Sequence, residues 1–284
     1  MSPLRLACLA AVAVAAGCGG SNGGLTAPSV QPAKSYRLSE FTPAGAVSPG
    51  KPVTISFRII QPSGAPLTQF AEGAQLGPHT GVHLILVRDD LSQIIHRHPP
   101  IAPGGVISET VSFPDPGPYR LLIDVYAKGS GPVPFNNFQM PAQTIDVSGP
   151  YHAEPIGAVR RTVSAGGYQF TIRRLPKLRL AQAAFLDIDV RDAAGRPARF
   201  TPWYGALAHA VFFHERNLAY FHSHVCAPNS AGCTGVGAIS GSSSKPGVLN
   251  VGVLLPEAGV WRLFLQCQID GRVISAPFTL RVGS

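Results

Sequence analysis

The chain has 284 residues, 45% of them apolar, with 31 glycines and 27 prolines; this length suits two domains with ordinary cores, and the near absence of an amphipathic helical period leaves helices a minor share. The formal net charge is +8, but the export signal at the N-terminus argues against nucleic acid as a partner. Of two methionines, one is Met1, which excludes a methionine-rich Cu(I) site.

The N-terminus MSPLRLACLAAVAVAAGCGG carries one positive charge, Arg5, then an apolar run from Leu6 to Ala16. A permanent membrane helix needs roughly 20 apolar residues, so the run reads as a cleavable export signal. Ala15-Ala16-Gly17-Cys18 resembles a bacterial lipobox, which implies residues 1–17 as signal peptide and Cys18 as the lipidated first residue of the mature chain. Acyl chains contribute about 0.8 kcal/mol per buried methylene and would anchor the protein to a membrane. Gly19 after the cysteine resembles the outer-membrane sorting signal of a Gram-negative cell. Residues 18–34, rich in Gly, Ser and Pro, read as a flexible tether. No later apolar stretch is long enough to span a bilayer, so the rest is expected to be soluble in the cell envelope or periplasm.

From residue 35 short alternating runs follow: YRLSEF, VTISFRII, VHLILV, SQIIHRH, ISETVSF, YRLLIDVY and QTIDV, punctuated by Gly, Pro and Asp. That pattern predicts an antiparallel β-sandwich. YQFTIRRL, FLDIDVRD, HAVFFHE, LAYFHSH, VLNVGVLL, WRLFLQCQI and FTLRV repeat the order, and FPDPGPYRLLIDV aligns with LPEAGVWRLFLQC. The reading is all-β, with two tandem immunoglobulin-like sandwiches at 35–148 and 165–284 joined by a linker at 149–164. CAPNSAGCTGVGAISGSSS accounts for the greater length of the second copy.

The repeat carries histidines. His83 is followed thirteen positions later by His96 and then by His98; His209, His222 and His224 have the same spacing. Two-residue loops at Asp89-Asp90 and Glu215-Arg216 would set His83 opposite His96 and His209 opposite His222, with the third histidine on the same face. Each hairpin then gathers three imidazoles, a ligand set for zinc or copper, and two similar sites are expected. Asp124 and Gln266 occupy equivalent places and are candidates for a fourth ligand or a group supporting the ligands. His79 and His214 are further candidates. A blue-copper site is disfavoured, because Cys226 follows the histidines and the second copy has no methionine. Ser223 lies on the opposite strand face, and no Gly-x-Ser-x-Gly elbow occurs, so no enzyme activity is expected. The competing reading makes the histidines polar edge-strand residues retained from a common ancestor.

Cys226 and Cys233 flank a short polar loop in an exported chain, which predicts a disulfide. Cys267 shares strand parity with Leu263, Leu265 and Ile269 and is expected to be a buried free thiol. Arg160, Arg161, Arg173, Arg174, Lys177 and Arg179 cluster as a solvated linker and edge strand, or as a contact for anionic lipid.

TPWYGALAHAVFFHERNLAYFHSHV followed by LPEAGVWRLFLQCQIDGRVISAPFTLRV resembles a family of bacterial secreted and lipid-anchored Ig-like proteins. Its core reads Tyr-x-Gly-Ala-x-x-His, His-x-His-Pro, and a Pro-x-Gly-x-Tyr-Arg segment ending in Gln. Tyr204, Gly205, Ala206, His209, His222, His224, Gly259 and Gln266 match; His83, His96, His98, Pro99, Gly117, Tyr119 and Arg120 match more loosely. Departures are Val225 for proline, Cys267 for an aromatic, and the cysteine-bearing insertion. Members are similar to domains near copper and other heavy-metal handling systems, so the resemblance implies a metal role. The leading expectation is a lipid-anchored envelope protein binding copper or zinc for buffering, delivery or sensing. The alternative is a structural or adhesive tandem module that contacts another envelope protein without metal.

Overall fold

The computed structural model describes residues 36–70, 81–128, 137–139, 143–228 and 239–284. The signal peptide, Cys18, the tether, His79 and Cys233 lie outside the described residues. The first copy contains β1 (Arg37–Thr42), β2 (Pro52–Ile60), β3 (Val82–Arg88), β4 (Ile94–Arg97), β5 (Val106–Ser112), β6 (Gly117–Tyr126), β7 (Asn137–Gln139) and β8 (Gln143–Val147). The second contains β9 (Thr162–Ala165), β10 (Tyr168–Arg174), β11 (Ala184–Asp192), β12 (Phe200–Thr201), β13 (Ala208–His214), β14 (Tyr220–Cys226), β15 (Gly241–Ser242), β16 (Val248–Val253), β17 (Gly259–Ile269) and β18 (Arg272–Val282). The protein is all-β, built of Ig-like sandwiches as expected; the described residues include a short 3-10 turn at Pro103–Gly105.

In the first sandwich the sheet β1-β2-β5 faces the sheet β4-β3-β6, which β7 and β8 extend. In the second, β14-β13-β17-β18 faces β16-β11-β10-β9. The insertion supplies β15, which runs parallel to β14 and antiparallel to β16, so a continuous hydrogen-bonded path joins the two layers. Each sandwich fills its own core. Ile55, Phe57, Leu84, Leu86 and Tyr119 belong to the first, and Phe170, Leu186, Phe212 and Trp261 to the second.

The equivalent strands β3 and β13 are buried along their whole length. Val82, Leu84 and Leu86 point into the first core, and Ala208, Ala210 and Phe212 into the second. The alternate residues Ile85, Val87, Val211 and Phe213 join Leu91, Leu122, Tyr220 and Phe264 in a third apolar cluster shared by both copies. Strand alternation requires this division, because successive side chains leave opposite faces and both faces are covered. The two sandwiches therefore pack sheet against sheet within one compact unit.

The connecting segment is tied down along this seam. The Ile156 carbonyl accepts hydrogen bonds from Arg262 Nη2 at 2.6 Å and Thr279 Oγ1 at 2.9 Å. Arg262 Nε also donates to the Leu91 carbonyl, at 3.1 Å, in the other copy. Closer to the first sandwich, the Glu154 amide donates to Asp90 Oδ2 at 3.0 Å and Arg88 lies over the Tyr151 ring.

Phe213 is fully buried in the shared cluster. Phe213→Ala should cost about 3–5 kcal/mol of unfolding free energy, through lost transfer energy and a cavity. Val273→Ala, on an exposed position, should change it by no more than about 0.5 kcal/mol. Urea unfolding of the two variants checks this; equal effects would show that the seam contributes nothing to stability.

A candidate metal centre at the seam

At one end of the shared apolar cluster the same two sheet faces carry histidine instead of aliphatic residues. His83 lies two positions before Ile85 on β3, and His209 two before Val211 on β13. Each histidine hairpin closes through a four-residue loop, not the two-residue loop expected. Arg88 N donates to the Gln93 carbonyl and His214 N to the Ala219 carbonyl. The Asp90 side chain stabilises the first loop by accepting from Ser92 N, Ser92 Oγ and Arg88 Nη1. Consequently His96 is opposite Ile85 rather than His83, and His209 is opposite His224 rather than His222. The shift moves the pairing by two positions and preserves strand parity, so the three histidines of each hairpin remain on one face.

That face is not solvent-facing. All six imidazoles are buried; His222 is the most accessible, at 9%. The two hairpins are not isolated from each other: their six side chains form one chamber between the sandwiches, in which His83, His96 and His98 still converge as expected of the first hairpin, while His209 and His222 group with His96, and His222 and His224 with His83. Across the seam the ring centroids of His83 and His222 are 5.1 Å apart, those of His96 and His209 4.9 Å, and those of His96 and His222 5.0 Å.

These separations follow a pseudo-two-fold axis. Exchanging equivalent residues turns the His83–His224 separation of 5.9 Å into the His98–His209 separation of 5.7 Å. It likewise turns His83–His96 at 5.7 Å into His209–His222 at 5.5 Å. Asp124 and Gln266 obey the same operation, since His83 pairs with Asp124 on β6 and His209 with Gln266 on β17. Across the axis His96 Nδ1 lies 3.2 Å from Gln266 Oε1, and His222 Nδ1 lies 3.8 Å from Asp124 Oδ2. Reciprocal contacts of this kind define an isologous interface.

Burial sets the charge state. Desolvation pushes the pKa values of His83, His96, His222 and His224 well below the usual 6.5, and mutual repulsion among the imidazolium forms pushes further in the same direction. His209, also desolvated, is lowered to about 4. These rings are neutral at pH 7, the form that ligates metals. Three overlapping triads bring ligand atoms within 4.8 Å of one another: His83, His222 and His224; His83, His96 and His98; and His96, His209 and His222. Any two triads share a histidine, so no two of them could each hold an ion without a shared ring. Asp124 and Gln266 stand beside the chamber, whereas His214 does not join it and packs against Trp261 at 5.2 Å.

Three further aromatic residues complete the walls. Tyr204 stacks on His98 with centroids 3.9 Å apart, and Trp203 meets His96 and His209 edge-on. The Tyr220 hydroxyl donates to Asp124 Oδ2 at 2.7 Å across the seam. Tyr204 appeared in the sequence only as a motif residue, and Trp203 and Tyr220 were not singled out. Their signal was the unbroken apolar and aromatic character around the histidines, which marks strands covered on both faces. Ser223, as parity predicted, faces away and donates to the Gly252 carbonyl at 2.7 Å.

Cys226 is disulfide-bonded, and Cys267 is a buried free thiol whose pKa burial raises to about 12. The arginines of the basic run are exposed, and its two members on β10 are ion-paired, Arg173 with Asp189 and Arg174 with Asp187.

A family model described as "Domain of unknown function (DUF8832)" matches residues 35–143 and 161–284; the chain belongs to that family. No curated protein matches the chain. Among solved structures, invasin, a bacterial integrin-binding protein, is 12% identical with a TM-score of 0.24, over 88% of this chain and 39% of that one. The fibronectin(III)-like modules of Clostridium thermocellum CbhA are 8% identical with a TM-score of 0.23, over 86% of this chain and 92% of that one. A tetra-tandem repeat of a large adhesion protein is 9% identical with a TM-score of 0.26, over 88% of this chain and 49% of that one. This chain spans well under half the length of the invasin chain. TM-scores this low carry no functional information.

The depressed histidine pKa values fix the sign of a pH effect. Below about 6.5 the unfolded chain binds protons that the folded chamber refuses, so stability is fully present above that value and falls as pH falls. For His209 the loss continues to about pH 4. Each neutral buried ring contributes a slope approaching 1.4 kcal/mol per pH unit. Urea midpoints of metal-free protein should drop steeply between pH 7.5 and 5; an unchanged midpoint would contradict the neutral, buried chamber.

Proposed function

We propose that this member of the DUF8832 family binds one transition-metal ion in the histidine chamber and serves as a metal-binding protein of the cell envelope, for buffering, delivery or sensing. The observation that carries this reading is the convergence of six buried imidazoles from two sandwiches. Burying polar rings costs free energy unless partners satisfy them. Neither ring nitrogen of His224 has a hydrogen-bond partner among the described residues, and a bound cation would supply one.

The donor set favours the metals that suit imidazole nitrogen, copper and zinc foremost. Neutral rings beside the Asp124 carboxylate would leave little excess positive charge around a divalent ion. The lipid anchor at Cys18 would keep the site at a membrane surface outside the cytoplasm, and no catalytic step is assigned to it. The tandem-module alternative, in which exposed strands contact another envelope protein, gives the six histidines no task.

Calorimetric titration of the full chain with Zn²⁺ and with Cu²⁺ at neutral pH tests the reading. One ion per chain should bind more tightly than ~10 μM, equivalent to about 7 kcal/mol. Replacing His83, His96 and His98 together by Gln, or His209, His222 and His224 together, should abolish that same site. Absence of binding by wild type would return the histidines to a structural role. Two ions, each lost only with its own triple variant, would restore two independent sites.

A further inference from the structure

The six histidines are not equivalent in their hydrogen bonding, and the difference points to where an ion would sit. His209 Nε2 lies 3.0 Å from the Trp203 carbonyl, which only accepts, so Nε2 carries the proton and donates. In the neutral ring Nδ1 is then an acceptor, and its partner is His222 Nε2 at 3.2 Å. His222 must therefore hold its proton on Nε2, which leaves a lone pair on Nδ1. That lone pair faces Asp124 Oδ2 at 3.8 Å. Asp124 Oδ2 is also 3.9 Å from His83 Nδ1. An acceptor nitrogen turned toward a carboxylate in a desolvated site is electrostatically unfavourable, and a cation placed beside both groups removes the conflict.

The opposite half of the chamber is satisfied without an ion. His96 uses Nδ1 toward Gln266 Oε1 and Nε2 toward His98 Nε2, each at 3.2 Å. Both nitrogens of His209 are engaged as described. The pseudo-two-fold axis thus relates a carboxyl group, Asp124, to an amide, Gln266, and of the two only Asp124 can take a negative charge. Of the three triads, His83, His222 and His224 lies on that side.

Resting on the metal-binding reading above, we propose that the ion is held by His83, His222 and His224, with Asp124 as the positioning and charge-compensating residue. His96, His98 and His209 support the centre through hydrogen bonds and do not ligate. One ligand comes from β3 and two from β14, so the ion bridges the two sandwiches. His222 then binds through Nδ1 while its Nε2–H donates to His209, the usual way in which the second nitrogen of a metal-bound imidazole fixes its orientation. Zn–N bonds of about 2.0–2.1 Å place tetrahedral ligand atoms ~3.3 Å apart, so the triad closes by small side-chain movements when it loads.

Imidazole ¹⁵N spectra of the wild-type full chain, recorded before and after one equivalent of Zn²⁺, test the assignment without any substitution. The ring nitrogens of His83, His222 and His224 should take metal-bound shifts, while those of His96, His98 and His209 keep protonated and acceptor nitrogens. Titration of variants with Co²⁺, read by its ligand-field absorption, gives a second measure. His224→Gln should weaken binding at least 100-fold, His98→Gln by less than tenfold, and Asp124→Asn by 10- to 100-fold with an altered Co²⁺ spectrum. Metal-bound shifts at His96, His98 or His209, or an Asp124→Asn variant with wild-type affinity and spectrum, would overturn the assignment while leaving the chamber a metal site. Failure of wild type to bind Zn²⁺, Co²⁺ and Cu²⁺ alike would instead remove the metal-binding reading itself.

Discussion

Two strands in this protein, β3 and β13, have no solvent face. They and their neighbours β6 and β17 carry a buried apolar cluster on the side away from their own cores as well as toward them. An uncovered face of that composition would leave Ile85, Val87, Leu122, Val211, Phe213 and Phe264 in water, at roughly 1.5–3 kcal/mol for each large side chain. Each copy covers the other, and the histidines are carried into the interior on the same strands. The polar chamber is thus tolerated because the adjacent apolar cluster favours closure. A metal ion would turn this polar end of the seam from a cost into a contact.

The isologous arrangement explains why the repeat brings its histidines together. In a two-fold interface every residue near the axis meets its own equivalent or a neighbour of it, so duplicating a three-histidine hairpin produces one six-histidine chamber. Departures from symmetry are what distinguish its two halves. Gln266 replaces Asp124, which removes a charge from one side. Trp203 and Tyr204 wall the chamber beside His96, His98 and His209, with Tyr204 at φ 47. That backbone conformation costs a non-glycine residue of order 1–2 kcal/mol, which its stacking on His98 helps to offset. The third departure, β15, joins the two layers of the second sandwich, whereas among the described residues the first has two separate sheets.

The sandwich class, the repeat, all six histidines, the side of Ser223 and the burial of Cys267 were legible in the sequence, because each rests on the order of the residues or on strand parity, and parity survives the two-position register error found here. The loop length was not. Asp89-Asp90 looks like a two-residue turn, and only the hydrogen bonds of Asp90 to Arg88 and Ser92 show why four residues close the hairpin. The larger departure, one chamber where two sites were expected, arose because hairpin geometry constrains partners within a hairpin and says nothing of what covers its outer face. The signal was present in VHLILV and HAVFFHE, whose apolar residues occupy both parities. Strands with one solvated face alternate, and these do not.

The central claim is that ligands from both sandwiches converge on one ion. Crystals grown with Zn²⁺ and measured on either side of the zinc absorption edge test it most directly. The account predicts a single strong anomalous peak per chain at the seam, within about 2.0–2.1 Å of imidazole nitrogens from both copies. Two peaks, each bonded only to the histidines of one hairpin, or a seam without anomalous signal in a crystal containing zinc elsewhere, would contradict it.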